Sequence, residues 1–330
     1  MVARGHVLLV CHKLSDSHGV QSQATSQIGL DVVEVDGPQI RRFIREPLLL
    51  YFRPSSLQDA LNVLADTRAT VLAGGTDVFP ALGDRPLSGP VLDISALEEI
   101  KRIQTSAEHI LLGARATWTE LLAARLPRGF DGLKAAAREI GSVQIQNTAT
   151  IAGNLCNASP AADGVAALLA LDAEVVLASR SASRTLPLGE FILGNRKTAR
   201  RPEELLTCIR VPRRVENAIS TFLKLGARRY LVISIVMVAA NLVLEADGSI
   251  REALLCVGSC SPTAVRLREL EQALVGKSVR SGLRQFVKPE HLAHLFPIDD
   301  ARATAAYRRD AASIHVERAL EECTRRAFAS

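Results

Sequence analysis

The sequence predicts an α+β fold in two domains, and three observations lead there. A chain of 330 residues can bury more core than one compact domain usually holds. Residues 219–257 contain three apolar, β-prone runs with Asp247-Gly248 as a hairpin turn, an antiparallel meander followed by helical patterns. Two stretches of small residues, 70–78 and 148–164, follow other elements without forming a common nucleotide signature. Neither is Gly-x-Gly-x-x-Gly after a strand, so a Rossmann unit is not indicated. Neither ends in Gly-Lys-Ser/Thr, so a P-loop is not indicated either.

Residues 1–46 differ from the rest. The apolar run at Val7–Val10 is too short for the core of a signal peptide, and no small-residue cleavage site follows. Residues 15–29 are rich in Ser, Gln and Gly and have no periodicity. The segment reads as an N-terminal extension of disordered composition, or as the product of a start assigned upstream of the true one.

Order is expected from Leu48. Ser55 or Ser56 caps a helix whose Leu57, Ala60, Leu61 and Leu64 share one face. Strands follow at Thr70–Ala73, Val91–Ile94 and Ile110–Leu112. Thr117 and Glu120 form a capping box that opens a helix through Ala124. Trp118, the single tryptophan, suits core packing better than stacking on a ligand. A helix at Leu133–Ile140 leads through Val143–Asn147 to the central stretch. Beyond it come a helix at Val165–Leu171, a strand at Glu174–Ala178, and a run from Pro202 that Pro212 ends. The composition then shifts, which puts a domain boundary near residue 215. The C-terminal part holds strands Ile219–Leu225, Ile233–Leu244 and Ile250–Val257. Helices Thr263–Leu274 and, approximately, Ala301–Ala327 follow them.

The central stretch reads Thr-Ala-Thr-Ile-Ala-Gly-Asn-Leu-Cys-Asn-Ala-Ser-Pro-Ala-Ala-Asp-Gly from Thr148. Short hydroxyls and amides surround Gly153, whose backbone has freedom that other residues lack. Such a loop suits a large flat ligand with a phosphate bridge, because backbone N–H groups can turn onto an anion. It equally suits a polar loop before a core helix. The second stretch, Thr-Val-Leu-Ala-Gly-Gly-Thr-Asp-Val from Thr70, tips the reading toward the ligand.

Composition excludes several classes. The net charge of +5 is dispersed, and aromatic residues make up only 4 %, so no basic stripe interleaved with aromatics marks a nucleic-acid face. The six cysteines include no Cys-x-x-Cys and no spacing for zinc or an iron–sulfur cluster, so they read as free thiols in a reducing cytoplasm. The longest apolar run, Leu231 to Leu244, is interrupted by Ser234 and Asn241 and falls short of the roughly 20 residues that span a bilayer. No histidine sits in either small-residue stretch, and His109 and His315 read as surface or packed residues.

Taken together, five blocks resemble the FAD-binding (medium) subunit of the molybdenum hydroxylases, the xanthine dehydrogenase family that includes the carbon monoxide dehydrogenase medium subunit and the 4-hydroxybenzoyl-CoA reductase beta subunit. The blocks are Ala73–Asp77, Thr150–Asn154 with Asn157–Pro160 and Asp163, Arg196–Thr198 with Glu203–Leu206, Lys224–Arg229 with the apolar strand after it, and the helix carrying Arg302-Ala303 and Tyr307–Arg309. The resemblance covers about residues 50–325. It implies a two-subdomain FAD-binding fold of the p-cresol methylhydroxylase type over 47–215, with subdomains of about 47–100 and 101–215. A C-terminal α+β flavoprotein domain with a small antiparallel sheet would fill 216–330.

By position, the resemblance implies that Val71, Leu72, Ala73, Gly74, Gly75, Thr76, Asp77 and Val78 wrap the FAD pyrophosphate, and that Thr150, Ile151, Ala152, Gly153 and Asn154 form the opposite wall. Asp163 would meet the ribose or its phosphate region, Leu206 the isoalloxazine or adenine side, and Lys224 the flavin's polar edge. One departure is plain: Ala152 stands where the family pattern has the first of two glycines.

The flavin supplies the redox chemistry, so no catalytic side chain and no metal ligand is expected in this chain. The resemblance implies an electron-transfer flavoprotein in a cytoplasmic heterotrimer. It would relay electrons between an iron–sulfur small subunit and NAD or another acceptor, beside a molybdopterin large subunit. Two other functions stay open on the sequence: a self-sufficient FAD-dependent reductase or oxidase of the same fold, and a flavin-free interaction module.

Overall fold

The computed structural model describes residues 7–11, 31–34 and 49–329. Among them, Leu49–Phe52, Val91–Asp93 and Thr70–Leu72 form a parallel unit. Parallel strands need a crossover, and the helix Leu57–Thr67 joins Leu49–Phe52 to Thr70–Leu72, the two strands that flank Val91–Asp93. Ser56 caps it as expected, its Oγ accepting from the Asp59 N–H at 3.2 Å, and Ala60, Leu61 and Leu64 are buried beneath it. Two strands inside the expected extension, Val7–Cys11 and Asp31–Glu34, continue this sheet antiparallel. The rest of residues 1–46 lies outside the described residues.

A second, antiparallel sheet runs in the order Ile103–Thr105, His109–Gly113, Leu205–Pro212, Glu174–Ala178 and Ser183–Pro187. The chain between His109–Gly113 and Glu174–Ala178 is helical. The Thr117/Glu120 capping box opens Trp118–Ala123. Asp131–Glu139, Val143–Thr148, Ile151–Asn157 and Asp163–Leu169 follow. Trp118 is fully buried in the core, as its apolar ring favours.

The third sheet is a meander of Ile219–Leu225, Val236–Leu244, Ile250–Gly258 and Val265–Arg266. Both its faces are buried, and strand alternation sorts the residues between two cores. On the central strand Met237, Ala239 and Val243 join the core shared with the helices Asp131–Glu139 and Asp163–Leu169. Val236, Val238, Ala240 and Leu242 join a second core under the long C-terminal helix. The polar residues that interrupt this apolar run are seam bonds: Asn241 donates to the Ala170 carbonyl at 2.6 Å and Ser234 to the Asp163 carboxylate at 2.6 Å.

The helices expected from Leu133 and Val165 each begin two residues earlier, and two other helix starts differ by more. The helix expected from Thr263 begins at Arg268, because Val265 and Arg266 are taken up as the fourth strand beside Val257 and Cys256. The long helix is Ala305–Ala329 and not Ala301–Ala327. Thr304 Oγ1 accepts from the Tyr307 N–H, and Asp300 holds the residues before it in a turn through the N–H groups of Arg302 and Ala303. Cys156, Cys208, Cys256, Cys260 and Cys323 are free thiols, and burial pushes Cys256 and Cys323 up to about 12. Among the described residues no helix is long and apolar enough to cross a membrane.

Asp300 also accepts from Arg308 at 2.8 Å. The Arg302 N–H, then the Arg308 and Arg302 guanidinium groups, hold its carboxyl well below the usual carboxylate range. A lowered folded-state value contributes stability above the unfolded value, about 4, and that contribution fades as pH falls through it. Asp300→Asn is therefore expected to melt below the parent at pH 7. The gap should narrow in thermal melts taken at successively lower pH.

Candidate cofactor-binding site

The first wall begins where Thr70–Leu72 ends. Ala73, Gly74, Gly75, Thr76 and Asp77 turn the chain into the short helix Val78–Leu82. Gly75 needs its lack of a side chain, because its φ is +70°. Gly74 needs it for a different reason: a Cβ there would lie 2.0 Å from the Thr148 carbonyl oxygen. The first wall is thus pressed against the chain that leads into the second. Among the described residues no acceptor takes the N–H groups of Gly74, Gly75 and Thr76.

The second wall is a helix where the sequence suggests a loop. Thr150 is the N-cap of Ile151–Asn157, its Oγ1 accepting from the Gly153 N–H at 3.0 Å. Gly153 therefore lies in a first helical turn and uses none of its backbone freedom. Ala152 lies in the same turn with its methyl packed in the core, 6 % exposed. Alanine is the residue a helix accepts best, so the departure from the double-glycine pattern meets no backbone obstacle.

Behind this helix, Trp118 Nε1 and Asn154 Oδ1 are buried without a hydrogen-bond partner among the described residues. Both side chains close on Gly164, where a Cβ would stand 2.5 Å from the indole ring and 2.7 Å from Asn154 Oδ1. The outer ends of the walls are also joined. Asn157 Nδ2 donates to Asp77 Oδ1 at 2.9 Å. Desolvation lifts the Asp77 carboxyl above its ordinary value, and the guanidinium of Arg196 opposes the lift.

Asp163 and Lys224 form a buried ion pair. Lys224 Nζ is 2.6 Å from Asp163 Oδ2, and Ser234 Oγ donates to Asp163 Oδ1. Both charged side chains are more than nine-tenths buried. Lys224 also donates to the Glu139 carbonyl at 3.2 Å. Burial pushes the Asp163 carboxyl up even with the ammonium and hydroxyl on it. The pair ties the helix Asp163–Leu169 to the C-terminal sheet. Leu206 lies on the strand Leu205–Pro212, 2 % exposed within the first core.

The structure thus brings Gly74, Gly75, Thr76 and Asp77 together with Thr150–Asn154, sets Asp163 and Lys224 on each other, and buries Leu206. Unclaimed backbone donors and close-set small residues suit a phosphate bridge, so the residues present fit FAD. Thr148 and Asn157 join the walls and were not among the expected site residues. For Thr148 no signal exists in sequence, since only its carbonyl takes part. Among the described residues no group of His, Cys, Asp and Glu could hold a metal ion.

A family model described as the FAD binding domain in molybdopterin dehydrogenase matches residues 42–214. A second, the CO dehydrogenase flavoprotein C-terminal domain, matches residues 221–323. The glyceraldehyde dehydrogenase medium chain of Sulfolobus acidocaldarius is 31 % identical over 279 residues, spanning 84 % of this chain and 98 % of that one. The nicotinate dehydrogenase FAD-subunit of Eubacterium barkeri is 30 % identical over 268 residues, spanning 79 % and 90 %. Among solved structures, a chain of carbon monoxide dehydrogenase from Hydrogenophaga pseudoflava superposes with a TM-score of 0.77 at 26 % identity, over 83 % of this chain and 96 % of that one.

Two substitutions test the geometry. Gly74→Ala forces a methyl into the Thr148 carbonyl and is expected to cost about 3 kcal/mol in denaturant unfolding. Lys224→Ala strands the Asp163 carboxylate in the interior, and a loss of about 3–5 kcal/mol is expected. Lys224→Met combined with Asp163→Asn should recover most of it, because no buried charge is then left unpaired.

Proposed function

This chain belongs to the FAD-binding subunits of the molybdopterin-containing dehydrogenases, and from that premise we propose that it relays electrons between an iron–sulfur small subunit and an external acceptor such as NAD. It is an FAD-carrying oxidoreductase subunit of a multi-subunit complex. A molybdopterin large subunit would carry out the chemistry on the substrate. Residues 47–215 would hold the cofactor and 216–330 would form the flavoprotein's C-terminal domain. The buried free thiols are in keeping with a cytoplasmic location.

The observation that carries this reading is the row of unclaimed N–H groups at Gly74, Gly75 and Thr76, set against the helix that Thr150 caps. These donors, with the first turn at Ile151–Asn154, would bind the pyrophosphate. Val71, Leu72, Ala73 and Val78 would exclude water on one side of it. Lys224 and Asp163, held rigidly by each other and by Ser234, would shape the floor toward the flavin. Leu206, buried in the first core, would back the isoalloxazine or adenine side. Bound FAD exchanges electrons singly or in pairs, which is the chemistry a relay between one-electron clusters and a two-electron acceptor needs. The chain's own role is to bind, orient and insulate it.

The test is an absorbance spectrum of the chain, purified alone and with its genomic neighbours, with the flavin released by heat and identified. FAD at about one per chain, and electron transfer to NAD only in the reconstituted complex, is the expected result. Turnover of an organic substrate by the chain alone would overturn the relay reading. Absence of flavin from both preparations would overturn the site.

A further inference from the structure

We propose that Asn157 is a positioning residue for the cofactor: braced by the Arg196 hairpin tip, it holds Asp77 and so sets the separation of the two walls. The proposal rests on the reading that FAD lies between them.

The walls meet at two points. At the inner end Gly74 lies against the Thr148 carbonyl. At the outer end the only side-chain bond between them among the described residues is the amide of Asn157 on the carboxylate of Asp77, bridging 80 residues of chain. The unclaimed N–H groups of Gly74, Gly75 and Thr76 lie between these points.

Asp77 occupies the N-cap position of Val78–Leu82, where aspartate commonly accepts from its own helix. Here it makes no side-chain cap bond. Its carboxylate is given to Asn157 instead, at the cost of the local bond. A bare carboxylate beside a phosphate bridge would repel it. One carrying an amide donor, with a guanidinium nearby, repels it less. Asp77 therefore acts as a strut and not as a ligand.

The backbone around the clasp supports this. Ala158, the residue after Asn157, is left-handed at φ 46°, and Arg196 is left-handed at φ 54°. Neither is glycine, so each conformation carries a cost that persists only where neighbours determine it. The two are bonded to each other, the Arg196 N–H donating to the Ala158 carbonyl at 3.0 Å. Arg196 turns the hairpin between Ile192–Gly194 and Lys197–Thr198. The hairpin tip thus braces the helix end whose Asn157 holds the Asp77 carboxylate.

The experiment measures FAD dissociation from the full chain, stripped of flavin and reloaded, by quenching of the single tryptophan Trp118. Melting of the flavin-free chain is recorded alongside. Asn157→Ala is expected to weaken FAD binding about tenfold, the worth of one hydrogen bond to a charged group, with flavin-free melting unchanged. Asn157→Asp should weaken it further by setting two carboxylates together. The exchange Asp77→Asn with Asn157→Asp restores an amide–carboxylate pair in the opposite sense and should recover affinity to within about threefold of the parent. Unchanged FAD affinity in Asn157→Ala would overturn the proposal. So would a loss matched by an equal fall in flavin-free melting, or an exchange that fails to recover. A parent chain that binds no FAD would instead overturn the reading of the site.

Discussion

The contact between Gly74 and the carbonyl of Thr148 is the constraint on which the cofactor cleft depends. One partner belongs to the parallel unit, the other to the helices inserted in the antiparallel sheet. They touch backbone to backbone because one of them has no side chain. With the walls so close, the short side chains of Thr150, Asn154, Asn157 and Asp77 suffice to finish the site. The rarity of large residues in both stretches follows from this single approach.

A second dependence runs through the seam between the helices and the C-terminal sheet. Its apolar packing is non-directional, and polar groups fix how the two sides register. Ser220 accepts from the Gly132 N–H, Asn241 donates to the Ala170 carbonyl, and Lys224 and Ser234 share Asp163. Ser220 and Lys224 alternate with Ile219 and Leu223 along one strand, so parity alone places them on the cofactor side. Replacing any one of them leaves a buried polar group without its partner.

Much of this was legible in the sequence where local chemistry decides. The caps at Ser56 and Thr117 and the meander at 219–257 follow from short-range rules and appear as expected. The helix Ile151–Asn157 was not legible, since a β-branched residue, a glycine and two asparagines in seven positions give weak helix propensity. The Thr150 cap and burial of Ile151 and Leu155 make it a helix. The edge strands Ile103–Thr105 and Ser183–Pro187 are polar and partly exposed, so no apolar alternation announced them. The Asp163–Lys224 pair needed the fold itself, because 61 residues separate its members.

The irregularity between the second and third strands of the meander has a consequence for how this sheet can vary. Val243 faces Glu252 and Leu244 faces Ile250, so Arg251 has no opposite number. That unmatched residue lets Ile250 and Ala253, an odd number of positions apart, belong to the same core. The sheet keeps a ledger of odd and even, and Arg251 is where it is reset. One residue gained or lost within Val236–Leu244 would exchange the contents of two hydrophobic cores and turn Asn241 away from the helix it holds. A change of length at the Arg251 kink would disturb the turn beyond it and the segment Gly276–Val279 bonded to that turn, and leave the two cores in place. Lineages of this sheet should therefore vary in length at that hairpin and hold the central strand constant.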